Sequence, residues 1–221
     1  MGVVVNLRYH LHERAAGRAF RSWRRLFGRD VDFGAGTCWS DLPDSALLFL
    51  CRETPESKFA LYDFIMGALG LGSGHELEHQ APRDLRDLLN AYFYLSDQAR
   101  FECCRRMGWT EPTGSATRPL IDQVLDPATY DYPHLMQCPT PTPQHPAYEA
   151  YQTASGLDGS ILMRRWLPEA VERFRQRATG SGKHGENLHG GGPSHDQDCY
   201  HRHRRPRGPR QDKPGAPAHR H

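Results

Sequence analysis

Along residues 54–72, hydrophobic side chains would cover almost every side of a helix. Thr54 can cap the free amides of a first turn, Pro55 suits that turn, and Glu56 favours the positive end of the helix dipole. Gly70 and Gly72 provide a natural end. The pattern therefore predicts a helix in the middle of a core. Its apolar residues are Phe59, Leu61, Tyr62, Phe64, Ile65, Met66 and Leu69.

A second helix is predicted from Pro82 to about Arg106, with Asp84 and Asp87 in its early turns. Its apolar residues recur at intervals of three and four, which is typical of an amphipathic helix. A break at Ser96-Asp97 is an alternative to one continuous helix. The stripe consists of Leu85, Leu88, Leu89, Tyr92, Leu95, Ala99 and Cys103.

The rest of the central region predicts shorter helices at about 118–125, 147–155 and 158–177, with a bend at Pro168 as an alternative to a straight last helix. Residues 138–146, "CPTPTPQHP", favour an extended connector, with a ligand for SH3 or WW domains as the alternative. Residues 45–51, "SALLFLC", are the only convincing strand candidate and could equally form a buried helical turn. The predicted fold is mainly α: a single helical-bundle-like domain over residues 41–178 with irregular Pro-rich connections.

Residues 1–29 predict a basic amphipathic helix, because they carry seven arginines against Glu13 alone. An apolar line runs through Leu7, Leu11, Ala15, Ala19, Trp23 and Leu26, with Arg14, Arg18, Arg21 and Arg25 opposite. Residues 30–178 have a net charge of −8, so we expect the helix to dock on this acidic body. The alternatives are an anionic membrane, nucleic-acid phosphates, or an organellar transit peptide.

The C-terminal residues 179–221 predict disorder, because eight Gly, five Pro and seven His leave little apolar surface to bury. An alternative role for this tail is a weak metal-binding cluster at His195, Cys199, His201 and His203, since histidine-rich tails bind transition metals. The arginines of this tail would also suit RNA, although only Tyr200 is there to stack on bases.

The six cysteines show no C-x-x-C pair, which favours buried thiols in a reducing compartment. The N-terminus lacks a continuous apolar signal region, and no apolar run approaches the ~20 residues of a membrane span. We therefore expect a cytoplasmic protein with no transmembrane segment.

One stretch carries candidate chemistry: His75-Glu76-Leu77-Glu78-His79 resembles the H-E-x-x-H zincin motif over five residues. On an α-helix both histidines would reach one Zn²⁺, and Glu76 would take a proton from the metal-bound water. The context argues against catalysis. Gly70, Gly72, Gly74 and Pro82 leave room for at most two helical turns, and the nearby acids Asp97 and Glu102 lie too far along the next helix to be ligands.

The predicted function is a non-enzymatic protein-interaction or accessory module without a cofactor, binding a protein partner. The first alternative is a zinc-dependent hydrolase with Glu76 as the catalytic base and His75 and His79 as metal ligands. The second is nucleic-acid binding through the two basic termini.

Overall fold

The computed structural model describes residues 7–28 and 31–181, with side chains from His10 to Gly180 apart from the short gap. Within these residues the fold is mainly α and has no strand, only an isolated antiparallel bridge between Thr110 and Pro141. The α-helices are α1 (Leu7–Ala19), α2 (Arg21–Phe27), α3 (Asp44–Leu50), α4 (Pro55–Leu69), α5 (Pro82–Arg106), α6 (Gly114–Thr117), α7 (Leu120–Leu125), α8 (Tyr132–Leu135), α9 (Tyr148–Thr153) and α10 (Gly156–Ser181). Short 3₁₀ helices lie at Trp39–Asp41, Gly74–His79 and Pro127–Tyr130.

The central helix α4 begins and ends as its sequence predicts. The Thr54 hydroxyl accepts a hydrogen bond from Ser57 N at 3.4 Å, which satisfies one free amide of the first turn. Gly70 ends the helix with φ +76°, a left-handed conformation that glycine adopts without strain. Leu71 N then donates to Met66 O at 2.8 Å and closes the last turn. The buried face of α4 includes Ala60, Leu61, Phe64, Ile65, Met66 and Ala68.

Helix α5 runs without a break from Pro82 to Arg106, so the interruption considered at Ser96-Asp97 is absent. It contributes to two apolar clusters. Leu88, Ala91, Leu95, Ala99 and Cys103 belong to the main core with α4, whereas Phe101 and Cys104 belong to a smaller cluster with Trp109 and α10. The adjacent cysteines are both buried because α5 is covered on both of these sides.

The N-terminal segment packs on α4, as the docking interpretation expects. Ala15, Ala19, Phe20 and Trp23 are buried in the main core, and the Trp23 indole N–H donates to Ala60 O at 2.9 Å. The predicted apolar line is nevertheless wrong at two positions, since Leu11 is 55% exposed and Leu26 is 45% exposed. The helix is interrupted at Phe20 (φ −83°, ψ 7°), so one stripe does not continue from α1 into α2.

Charge attraction between arginines and carboxylates is not what holds this segment. Among the described side chains from Arg14 to Arg25, no arginine forms a salt bridge to a carboxylate. The Arg18 guanidinium instead donates to Gly67 O at 2.9 Å and to Ala68 O at 3.1 Å, at the negative end of the α4 dipole. A Cβ on Gly67 would lie 3.0 Å from the Ala19 Cα, so the glycine permits this close approach of the two helices.

The structure also decides the type of one predicted element and corrects the bounds of two others. Residues 44–50 form helix α3, so the strand alternative for 45–51 is wrong and the buried helical turn is right. The helix expected at 118–125 starts at Leu120, because Arg118 precedes Pro119 and is extended (φ −77°, ψ 134°). Helix α10 continues through Pro168 to Ser181, so the first three residues assigned to the tail are helical. The rest of that tail lies outside the described residues.

Arg106, at the C-terminus of α5, fixes the loop before α3. Its Nη2 donates to Trp39 O at 3.1 Å and to Leu42 O at 2.7 Å, and its Nη1 lies 2.6 Å from Asp44 Oδ1. The Glu102 carboxylate accepts from Arg106 Nε at 2.8 Å and is only 2% exposed. This buried carboxylate therefore orients the guanidinium that holds the loop.

None of the helices within residues 7–28 and 31–181 is long and apolar enough to cross a membrane.

Candidate functional site

The H-E-x-x-H stretch forms the 3₁₀ helix Gly74–His79 between α4 and α5. Ser73 is its N-cap, and Ser73 N donates to the Glu76 carboxylate at 3.3 Å. Glu76 N donates in turn to Ser73 O at 2.9 Å. Glu76 therefore serves as the return partner of a capping box, the arrangement that Ser-x-x-Glu favours at a helix start.

Two glycines make this short helix possible. Gly72 has φ +97°, and a Cβ there would lie 1.6 Å from Glu76 Oε2, so the carboxylate occupies the space where a side chain would be. Gly74 N donates to Asp63 Oδ1 at 2.6 Å, which ties the segment to the side of α4. The carboxylates of Asp63 and Glu76 thus bind main-chain amides on the turn.

The two histidines do not act together. The His75 ring stacks on Phe59 of α4 with a centroid distance of 5.1 Å. His79 is exposed, and its Nδ1 lies 3.8 Å from the Glu78 carboxylate beside it. In a 3₁₀ helix, residues i and i+4 are about 120° apart around the axis, compared with about 40° in an α-helix. The α-helical geometry that would direct both imidazoles to one metal is therefore not present.

Potential further ligands are engaged elsewhere. Asp97 binds Arg164 Nε at 2.9 Å, and Glu102 binds Arg105 Nε at 2.6 Å as well as Arg106. Across residues 10–28 and 31–180, no three His, Cys, Asp or Glu side chains are grouped so as to hold a metal ion. The tail residues His195, Cys199, His201 and His203 lie outside the described residues.

A cavity of about 550 Å³ lies beside α6 and α8, and its lining includes Tyr94, Arg118, His134 and Cys138. The Cys138 thiol is the candidate nucleophile there, and its Sγ accepts a hydrogen bond from Arg164 Nη1 at 3.1 Å. Burial nevertheless raises the pKa of Cys138, and the positive charge of Arg164 only partly opposes this. Because the thiolate is the reactive form, this environment does not activate the cysteine.

A surface of exposed and half-buried aromatic side chains, together with Leu89, lies across α4, the 3₁₀ helix and α5. We call it the aromatic strip, and its members are Phe59, Tyr62, His75, Leu89, Tyr92 and Phe93. Phe59 is 43% exposed, Leu89 is 43% exposed and Phe93 is 54% exposed. At its centre the Tyr62 and Tyr92 rings stack at 4.7 Å and are inclined by only 8°. The Phe93 ring meets Tyr92 edge-on at 5.6 Å, and the His75–Phe59 pair extends the strip on the α4 side.

The electrostatics of the strip keep its centre neutral at physiological pH. Burial raises the pKa of Tyr62 and, as the largest of several effects, that of Tyr92. The charges of Glu53 and Arg100 are paired with each other at 3.2 Å. The tyrosine pair at its centre can therefore supply rigid apolar contacts without contributing a charge.

The sequence patterns place Tyr62, Phe59, Leu89 and Tyr92 correctly on helices but count them as core residues, and they do not single out Phe93. The sequence did contain one sign of an exposed apolar surface, namely that apolar residues surround nearly the whole of α4. A helix with apolar residues on nearly all sides has more such surface than its neighbours need to cover. Which part stays uncovered depends on the packing of α1, α2 and α5, which no local pattern contains.

Comparison with known proteins identifies no relatives: no protein-family model matches the chain, and neither the curated proteins nor the solved structures yield a significant match.

Proposed function

We propose that the protein is a non-catalytic interaction module that binds a protein partner through the aromatic strip. The observation that carries the proposal is the exposure of Phe59, Leu89 and Phe93, at 43%, 43% and 54%, around one stacked tyrosine pair. Isolated apolar side chains on a surface are ordinary, but adjoining ones that form a continuous patch mark binding sites.

The composition of the strip suits a protein partner. Aromatic residues are enriched at the centres of protein interfaces, whereas charged residues are depleted there. Aromatic side chains bury a large area for few rotatable bonds, so they lose little conformational entropy on binding. The Tyr62–Tyr92 stack restricts these rings further, because it couples α4 to α5 before any partner arrives.

The zinc hydrolase remains an alternative with less support. Its proposed base, Glu76, bonds to Ser73 N, and its first ligand, His75, packs on Phe59. Metal binding at His75 and His79 would require the 3₁₀ helix to rewind. Nucleic-acid binding through the basic termini also remains a prediction. The basic residues of the C-terminal tail lie outside the described residues.

The experiment compares two pairs of exposed apolar residues. Phe59→Ala/Phe93→Ala truncates the strip, and Leu157→Ala/Ile161→Ala truncates two side chains on α10, each 56% exposed. A partner first captured on the wild-type protein is purified, and its affinity for each variant is measured by calorimetry. We expect the strip variant to weaken binding at least tenfold, because central aromatic residues contribute more than about 1 kcal/mol each. The α10 variant should bind within about twofold of wild type.

Two results would count against the proposal. Equal affinity of the strip variant and the wild type, with both folded by circular dichroism, would remove the strip from the interface. Nearly equimolar zinc that survives dialysis in the wild type and is lost in His75→Ala/His79→Ala would favour the hydrolase, since a true zinc site holds its metal strongly.

A further inference from the structure

We infer that a pocket between α2, the C-terminus of α4 and the 3₁₀ helix binds a small phosphate ester. The pocket has a volume of about 370 Å³, within the range of small-molecule sites. We call it the arginine pocket. The side chains used in the argument are Arg18, Arg21, Ser22, Arg25, Asp63 and Glu76, all of which line it.

One wall of the arginine pocket is cationic. Arg18, Arg21 and Arg25 recur at helical spacing and reach the same cavity although α1 ends at Ala19 and α2 begins at Arg21. The bonds from Arg18 to Gly67 O and Ala68 O fix the position of its guanidinium. Arg21 and Arg25 are exposed, and neither has a carboxylate within salt-bridge distance among the described residues. Guanidinium groups bind phosphate oxygens through paired, charge-assisted hydrogen bonds.

Ser22 is the independent sign of a ligand. Ser22 follows Arg21 in the sequence and lines the same pocket. The residue is only 8% exposed. Its Oγ has no hydrogen-bond partner among the described residues. Buried hydroxyls are almost always paired, because an unpaired one loses its hydrogen bonds to water and gains none. Because the Oγ is buried in the unliganded structure, Ser22 would donate to a phosphate oxygen held by the arginines after a rotation about χ1 toward the cavity.

The opposite wall defines the rest of the ligand. Asp63 and Glu76 accept hydrogen bonds from Gly74 N and Ser73 N, and each carboxylate retains further acceptor capacity. These groups would repel a bare polyanion but would accept hydrogen bonds from hydroxyl groups. The pocket therefore fits a molecule with a phosphate at one end and hydroxyls at the other. Sugar phosphates and nucleoside monophosphates both have this chemistry.

The experiment is calorimetric titration of the full chain at low ionic strength. The probes are glycerol 3-phosphate for the polyol source and adenosine 5′-monophosphate for the nucleotide source, with inorganic phosphate, glycerol and adenosine as comparisons. We expect at least one phosphate ester to bind, inorganic phosphate to bind more weakly, and the unphosphorylated compounds not to bind. The preferred ester identifies the source.

Three variants locate the binding. Arg21→Gln/Arg25→Gln should lower the affinity for the preferred ester about tenfold or more, since each removes a charge-assisted hydrogen bond. Arg14→Gln is the matched control, because Arg14 is an exposed arginine of α1 that does not line the pocket, and it should leave the affinity unchanged. Ser22→Ala should weaken binding several-fold while raising the melting temperature of the unliganded protein, because an unpaired buried hydroxyl is removed.

Several outcomes would overturn the inference. They are an absence of binding by both esters, undiminished binding by Arg21→Gln/Arg25→Gln, and an equal loss in Arg14→Gln, which would mean general charge attraction. A Ser22→Ala variant that gains stability with unchanged affinity would remove the serine from the site. Equal affinity for inorganic phosphate and for both esters would show that the pocket does not select a phosphate ester.

Discussion

Replacing Trp23 with alanine should lower the free energy of unfolding by about 4 kcal/mol, because this side chain anchors the N-terminal segment to α4. Trp23 is fully buried, and its ring stacks on Phe64 at 4.8 Å and meets Phe20 edge-on at 5.6 Å. Removing a large aromatic side chain from a packed core costs roughly 3–5 kcal/mol. The lost hydrogen bond to Ala60 O adds about 1 kcal/mol. Some of this total is recovered as the site relaxes, which leaves the figure of about 4.

The assay is urea unfolding followed by circular dichroism, with thermal unfolding as a second measure. A loss of this size should lower the melting temperature by roughly 10 °C for a domain of this length. Trp23→Phe separates the two contributions, since it keeps most of the apolar contact and removes the indole N–H. It should cost less than half as much as Trp23→Ala.

The matched control is Leu26→Ala on the same helix, three residues further on and 45% exposed. We expect this change to alter stability by less than about 0.5 kcal/mol. If Trp23→Ala were as mild as Leu26→Ala, the first two helices would be a detachable arm. The membrane, nucleic-acid and targeting alternatives for residues 1–29 would then regain support.

Three further predictions concern buried polar groups. Glu102→Ala should cost about 3 kcal/mol in urea unfolding because it removes the buried carboxylate that pairs with both Arg105 and Arg106, whereas Glu169→Ala, which breaks an exposed i,i+4 pair, should cost less than about 0.5 kcal/mol. Burial lowers the pKa of His145, so the unfolded chain binds its proton first; stability should fall as the pH drops below about 6.5, and less steeply in His145→Asn, where the side-chain oxygen can replace the Nδ1 acceptor. Equal slopes in the two proteins would contradict this. In a Cys199→Ser background, a thiol reagent should modify the partly exposed Cys38 and Cys138 before the buried Cys103 and Cys104 of α5. The hydrogen bond with Cys51, and then burial, raise the pKa of Cys103, and burial raises the pKa of Cys104 to about 12. Simultaneous modification of all four thiols in the folded protein would refute this order. Mass spectrometry distinguishes the sites.

The sequence predicts helices well where local chemistry determines the outcome. Helix α4 begins after Thr54 and ends before Gly70 because a hydroxyl cap and a left-handed glycine act locally. Pro82 begins α5 because its fixed φ suits the first turn of a helix. The apolar line through Leu11 and Leu26 fails because it assumes one straight helix across Phe20. Residues 45–51 are ambiguous because a short apolar run has no period that distinguishes strand from helix.

The features of the candidate site likewise fall into those that the sequence could predict and those that depend on tertiary packing. The sequence analysis considered Glu76 only as a catalytic base, although Ser73-Gly74-His75-Glu76 is also a capping-box sequence and could have predicted its structural role. The stack of Tyr62 on Tyr92 could not be predicted, since it joins two helices whose relative register depends on the whole core. The unpaired hydroxyl of Ser22 was likewise invisible, because burial of a serine is a tertiary property.

Helix α5 lies between the main core and the smaller cluster around Trp109, with Cys103 on one side and Cys104 on the other. Opening either cluster alone would expose apolar surface of a helix that the other cluster still holds. Partial opening therefore gains little chain entropy for the surface it exposes, and the two clusters should melt in a single cooperative step. Amide protons in the middle of α5 should consequently be among the slowest to exchange with solvent, with a protection free energy equal to that of global unfolding.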